Sequence, residues 1–180
     1  MSKFYTKITA KLQKFIEAQK IFFVATAPNS GRINLSPKGM DSFRVLDENH
    51  VLWLSVTGSG NETGAHLLES ERITIMFCSF EKVPNILRLY GKGREIKPKD
   101  TNWNAFISLF PETPGTRQIF EITIETAQTS CGMSIPFFEF KGERNDLNNW
   151  ALKQGTKGIE NYWEDKNQSS IDGLPTHLLK

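Results

Sequence analysis

"HVLWLSVTGSGNETGAHLLESERITIMFCSF", His50 to Phe80, runs from an apolar segment through a glycine-spaced loop into a leucine-bearing stretch and a second apolar segment. The fold turns on how this loop is read. A phosphate-cradling turn of the Walker A or G-x-G-x-x-G type would make the chain a parallel α/β protein. No Gly-Lys-Ser/Thr follows, and the glycines stand at 58, 60 and 64, which fits neither pattern. "HVLWLSVTG" is apolar on both faces and reads as a buried strand. "NETGAHLLESER" has the length of a short helix, and "ITIMFCSF" is the next strand.

Outward from this stretch the elements keep the same character. Upstream, "SKFYTKITAKLQKFIEAQK" places Phe4, Ile8, Leu12, Phe15 and Ile16 at helical spacing, with Lys3, Lys7, Lys11 and Lys14 on a solvated stripe. Ile21 to Ser36 reads as a hairpin turning at "NSGR". Downstream, "ILRLYGKGREI" is a strand and "TNWNAFISLF" a short helix. "QIFEITIETAQ" alternates cleanly, with Phe120, Ile122 and Ile124 on one face and Glu121, Thr123 and Glu125 on the other. After the loop "TSCGMSIP", the segments "DLNNWALKQG" and "GIENYWEDKN" read as helical pieces, and the tail "SSIDGLPTHLLK" as irregular. Six strands, short helices and no βαβ alternation predict a mainly β, antiparallel barrel or sandwich. With 180 residues, one domain is expected over 1–180, its core at about 15–130 and a helical or irregular extension at 131–180.

The composition narrows function by exclusion. A net charge of +2, with no basic block, argues against nucleic acid as a partner. No apolar run approaches a membrane span and no signal-peptide core is present, so a cytoplasmic setting is expected. Cys78 and Cys131 form no CxxC pair, and the three histidines are scattered, so no zinc site is indicated. His50 and His66 read as structural, and Cys131 as a small buried residue rather than a reactive thiol. No Ser-His-Asp or Cys-His set can be assembled, and the catalytic residues stay unknown. Chemistry carried by a cofactor needs no such set. The abundant aromatic residues suit either a phenylalanine-rich core or a flat conjugated ligand.

Two stretches could meet a ligand. "LSVTGSGNETGAHL" ends a strand and opens a helix whose first N–H groups would attract an anion. Ser59 and Glu62 also have the S-x-x-E spacing of a capping box, and the two readings are compatible. In "INLSPKGMDSF", Ile33 to Phe43, proline and glycine interrupt a strand around Lys38. That interruption is either a solvated turn or a strand end serving an anionic ligand.

The order "NLSPKG", "LWLSVTGSGNETGAHL", "RITIMFCSF", "ILRLYGKGREI" resembles the pyridoxamine 5'-phosphate oxidase-related flavoproteins of the FMN-binding split-barrel superfamily. The match spans roughly Phe15 to Pro98, and "TSCGMSIPFFEFKGER" and "NQSSIDGLPTH" look like the tail of a bacterial and fungal branch. The resemblance implies a six-stranded split β-barrel and a homodimer with FMN in clefts at the subunit interface. It places Ser36 and Lys38 at the end of the first flavin-contacting strand, and Val56 and Thr57 where the next strand meets the cofactor. Ser59 lies in the adjoining loop. Glu62 and Thr63 fall where the oxidases carry a basic phosphate-binding pair, and Arg88 on the strand passing the flavin ring. Glu62 is an acid where a base is usual, so the phosphate would rest on Lys38, hydroxyls, backbone N–H groups or a different arginine. Ile86 replaces a customary glutamine, and "NNWALKQGTKGIENYWEDKNQSS" lacks the substrate-binding arginine motif. The expected function is FMN-dependent oxidation or reduction of an unknown small molecule rather than pyridoxamine phosphate oxidation. The alternatives are a non-catalytic flavin carrier of the same fold, or a deazaflavin- or haem-binding one.

Overall fold

The structure, a computed structural model, describes residues 2–179. Its elements run β1 (Lys3–Tyr5), α1 (Ala10–Ala18), β2 (Phe22–Thr26), β3 (Asn34–Lys38), β4 (Phe43–Val45), β5 (His50–Val56), α2 (Glu62–Glu69), β6 (Arg72–Cys78), β7 (Asn85–Ile96), α3 (Trp103–Ile107), β8 (Thr116–Cys131) and α4 (Asp146–Lys166). One antiparallel sheet has the order β3-β2-β6-β7-β8-β5-β4, and β1 pairs with the far end of β8. The edge strands β3 and β4 are consecutive in the chain, with only residues 39–42 between them. So short a link forces the two edges of the sheet to curl toward each other, which gives a split barrel. Met40 and Asp41 take left-handed φ values of 65° and 46° to make that link, a conformation uncommon for residues with a side chain.

The six long strands are those read from the sequence; β1 and β4, three residues each, are additional. The expected N-terminal helix is shorter than its pattern. Thr9 caps α1 by accepting the Leu12 N–H, so Ile8 precedes the helix, and Phe4 lies exposed on β1. α4 is two helical pieces joined where Gly155 leaves helical geometry at φ 63°, as the separate segments suggest.

The barrel interior joins Ile8, Leu12 and Ile16 to Val24, Ile75, Leu87, Phe120 and Ile122. Phe22, Phe43 and Phe77 meet within it at ring distances of 5.0, 5.6 and 5.1 Å, and Trp53 stacks on Phe120 at 4.8 Å. These rings account for part of the aromatic excess, while Phe4, Phe137, Phe138 and Phe140 are exposed. A second cluster of Leu52, Leu54, Ile96, Phe110 and Ile119 lies under α3, which is why β5 is apolar on both faces. At Gly91 the ladder between β7 and β8 shifts register, and a Cβ there would lie 2.1 Å from the Thr123 carbonyl oxygen. Only glycine fits so close a backbone. Among the described residues no helix is long and apolar enough to cross a membrane, and no group of three His, Cys, Asp or Glu could hold a metal ion. Cys78 is buried, but Cys131 ends β8 exposed, contrary to the expectation for that residue.

Candidate functional site

Where the curled sheet brings β3 and β5 near each other without pairing them, a cavity of about 540 Å³ opens between them and the start of α2. Strand register decides which side chains reach it. Ser36 stands opposite buried Val24, and Lys38 opposite buried Phe22, so both face inward, while Pro37 faces out and Leu35 stands exposed at the cavity's open rim. A two-residue side-chain period thus puts polar groups inside and apolar ones outside on this edge. On β5, Trp53 and Ser55 share the inward face with Val51. Lys38 Nζ sits 5.0 Å from the centre of the Trp53 ring, a cation–π distance. Burial, reinforced by the charge of Arg117, lowers its pKa to about 8.

Arg117 is the residue that sequence reasoning missed. Ser55 pairs with Gln118 and Val56 with Thr116, so Arg117 is the extra residue of a β-bulge. A bulge re-aims the side chain it carries. The guanidinium, in a residue only 5% exposed, lines the cavity. Its Nη1 donates to the Gly60 carbonyl at 3.0 Å and to Asn167 Oδ1 at 2.7 Å, and its Nη2 to Ser55 Oγ at 3.2 Å. Its Nε is buried with no partner, and among the described residues no carboxylate forms an ion pair with it. Burial lowers its pKa to about 10, and Glu95 and Tyr162 oppose that only partly. A buried cation with a spare donor is costly unless an anion completes it.

The loop before α2 supplies the opposite wall. Asn61 is the N-cap residue, but its side chain makes no capping bond. It turns to Gln118, donating at 3.2 Å and accepting at 2.7 Å in a fully buried reciprocal pair. Gly64 makes room for this, because a Cβ would lie 2.7 Å from Asn61 Nδ2. The anticipated Ser59–Glu62 capping box is not formed: the helix begins at Glu62, so Ser59 lies three residues before it. The Glu62 carboxylate instead accepts the backbone N–H of Ile171 at 3.0 and 3.2 Å. Arg32 holds the same tail segment, pairing with Asp172 through its guanidinium and its N–H.

Of the anticipated residues, Ser36, Lys38, Val56, Ser59, Glu62 and Thr63 line this one cavity. Thr57 does not. Its hydroxyl donates to the Gly115 carbonyl and accepts from Trp163 Nε1, both at 2.8 Å, which ties α4 to the end of β5. Arg88 lies on β7, where it donates to Ser130 Oγ at 3.0 Å. The C-terminal segment, read as an appendage, completes the site: Asn167 is fully buried between Arg117 and the Gly58 carbonyl, to which it donates at 3.1 Å. His50 pairs with Asp47, and His66 shares a hydrogen bond with Thr26, so both serve structure.

Comparison with known proteins gives this architecture its relatives. Residues 8–131 match the family described as pyridoxamine 5'-phosphate oxidase. A pyridoxamine 5'-phosphate oxidase family protein, ustO, from Aspergillus flavus is 34% identical over 193 residues, covering 97% of this chain and 78% of the relative. The solved structure of a HupZ variant from Group A Streptococcus superposes with a TM-score of 0.57 at 19% identity, over 68% of this chain and 99% of that one. A Lactobacillus delbrueckii protein provisionally classed as a pyridoxamine 5'-phosphate oxidase gives 0.55 at 18%, over 68% and 94%. An FAD-binding protein from Mesorhizobium loti gives 0.50 at 14%, over 72% and 99%. By its sequence match and its split-barrel fold, the chain belongs to the pyridoxamine 5'-phosphate oxidase family.

Proposed function

We propose that the chain is a flavin-dependent oxidoreductase that holds FMN in the cavity between β3, β5 and α2. The observation that carries this reading is Arg117, a buried guanidinium that lines the cavity with no carboxylate paired to it among the described residues. A phosphate in the cavity would offset the cost of burying that charge. The first turn of α2 faces the same space with unpaired N–H groups and the positive end of the helix dipole. Arg117 takes the part of the absent basic pair, since the Glu62 carboxylate is engaged by Ile171. Lys38, over Trp53, supplies a second cation further along β3. The volume suits a cofactor or a drug-sized ligand.

Bound flavin would supply the redox chemistry. The chain's own residues would bind it, fix its orientation and shape the space beside it. Family membership supports flavin, and the name of the Mesorhizobium loti neighbour supports flavin binding within this fold. The reading includes a homodimer. Ile33 and Leu35 line the cavity yet are 77% and 64% exposed, so the cavity is open along β3 where a second copy could close it. Anaerobic titration of the FMN-loaded protein with nicotinamide donors, followed by acceptors, tests the enzymatic part. Reduction of the bound flavin and reoxidation by an acceptor are expected. A flavin that no donor reduces would make the protein a carrier.

A further inference from the structure

The tail after α4 folds back as a hairpin whose base is buried. Asn167 and Thr176 are fully enclosed, and the Thr176 hydroxyl donates to the Asn167 carbonyl at 2.7 Å. Above them Ser169 bridges Pro175, the Ser170 N–H donates to the Leu174 carbonyl at 2.8 Å, and Gly173 turns the tip at φ 82°. Two stitches hold this tip against the cavity. Glu62 ties it to α2 through the Ile171 N–H, and Asp172 ties it to the β2–β3 turn through Arg32. The turn is itself tied to α2, because the Asn29 N–H donates to the Glu69 carboxylate at 3.1 Å. Gly31 lets turn and tail meet, since a Cβ there would lie 2.7 Å from Asp172 Oδ2. Helix, hairpin and turn thus form a closed ring, and its members Arg32, Glu62 and Ile171 line the cavity. Arg117 reaches both sides of the ring's base, donating to Asn167 Oδ1 and to the Gly60 carbonyl just before α2. A phosphate held by Arg117 and the first turn of α2 would therefore have this ring as its neighbour. The ring is a poor host for a second phosphate. Its cation Arg32 is already paired with Asp172, and Glu62 and Glu69 add further carboxylates. A wall of unfavourable charge and fixed backbone discriminates by rejecting the larger ligand.

We infer that the C-terminal hairpin sets which flavin the cavity takes: one ending in a single phosphate is admitted, and one extended by a second phosphate and a nucleoside is turned away. This selectivity rests on the flavin site proposed above. Isothermal titration of the full chain with FMN and with FAD tests it. The wild type should bind FMN at least tenfold more tightly than FAD. Asp172→Ala cuts the stitch to Arg32 at a side chain that does not line the cavity. Glu62→Ala combined with Asp172→Ala cuts both stitches. The single variant should narrow the ratio of the two affinities at least twofold and the double variant fivefold or more, each by tightening FAD. Thermal melts check that both variants fold. Equal wild-type affinities for the two flavins, or a ratio unchanged in both variants, would overturn the inference and leave the flavin site standing. So would a ratio narrowed only by weaker FMN binding, which would make the hairpin a phosphate contact instead. A wild type that binds neither flavin would overturn the proposed function, and this inference with it.

Discussion

Arg117→Met separates the cost of a buried cation from its use. In the free protein, burial lowers the guanidinium pKa from its ordinary value to about 10. A base whose folded pKa is lowered is destabilising while charged. That cost is fully present below pH 10 and fades as pH rises through the folded value toward the unfolded one. At neutral pH it is on the order of 3 kcal/mol. Methionine removes it but leaves Gly60, Asn167 and Ser55 without their donor, at about 1–3 kcal/mol for each group that stays dry. The two effects oppose: they cancel where each lost bond costs about 1 kcal/mol, and the free protein is weakened by up to several kcal/mol where all three groups stay dry. With FMN they no longer cancel. Loss of a charge-assisted bond worth about 1.5–3 kcal/mol raises Kd roughly ten- to hundred-fold. At a hundred times the wild-type Kd, ligand stabilises the fold by about 2.7 kcal/mol, or about 5–10 °C in Tm for a chain of this size. A hundred-fold weaker variant at the same concentration gains about 0.4 kcal/mol, about 1 °C. Thermal melts with and without FMN, paired with a fluorescence titration, read both numbers. An equal FMN-induced shift in the two proteins would refute the anion site.

Lys38→Gln should weaken FMN binding about tenfold and abolish a pH dependence that the wild type shows. Burial puts the Lys38 pKa at about 8, so the wild-type affinity should fall as pH rises from 7 to 9; a flat profile in both proteins would remove Lys38 from the site. Gly64→Ala should drive Asn61 off Gln118 and cost about 1–3 kcal/mol in chemical denaturation, against the gain that alanine brings to an ordinary helix position. Glu62→Lys should leave FMN affinity equal or tighter while freeing the Ile171 N–H. Faster limited proteolysis within residues 168–175 would show that release, and a large loss of FMN affinity would give Glu62 a direct role.

The fold was legible because its long strands announce themselves. Phe120, Ile122 and Ile124 alternate with polar partners, and β5 is apolar throughout because α3 covers its outer face. The three-residue strands β1 and β4 carry no such period. The i, i+4 run of Ile8, Leu12 and Ile16 overstated the first helix, since a residue just before a cap can point into the same core. Most of the cavity was readable from "NLSPKG" and "GSGNET", whose glycines and polar residues sit at strand ends. Arg117 was not, because nothing local marks it. A bulge turns it inward, and its partner Asn167 lies fifty residues away. The capping box failed for a related reason: S-x-x-E spacing specifies a cap only if the serine sits at the helix boundary, and the Asn61–Gln118 pair moves that boundary two residues on.

The central claim is that this barrel holds a flavin, and the direct measurement is the visible spectrum of the purified protein with its released chromophore identified by mass. A flavin spectrum, and a released molecule of the mass of FMN at about one per chain, is the predicted result. A colourless protein that also fails to bind added FMN would contradict it.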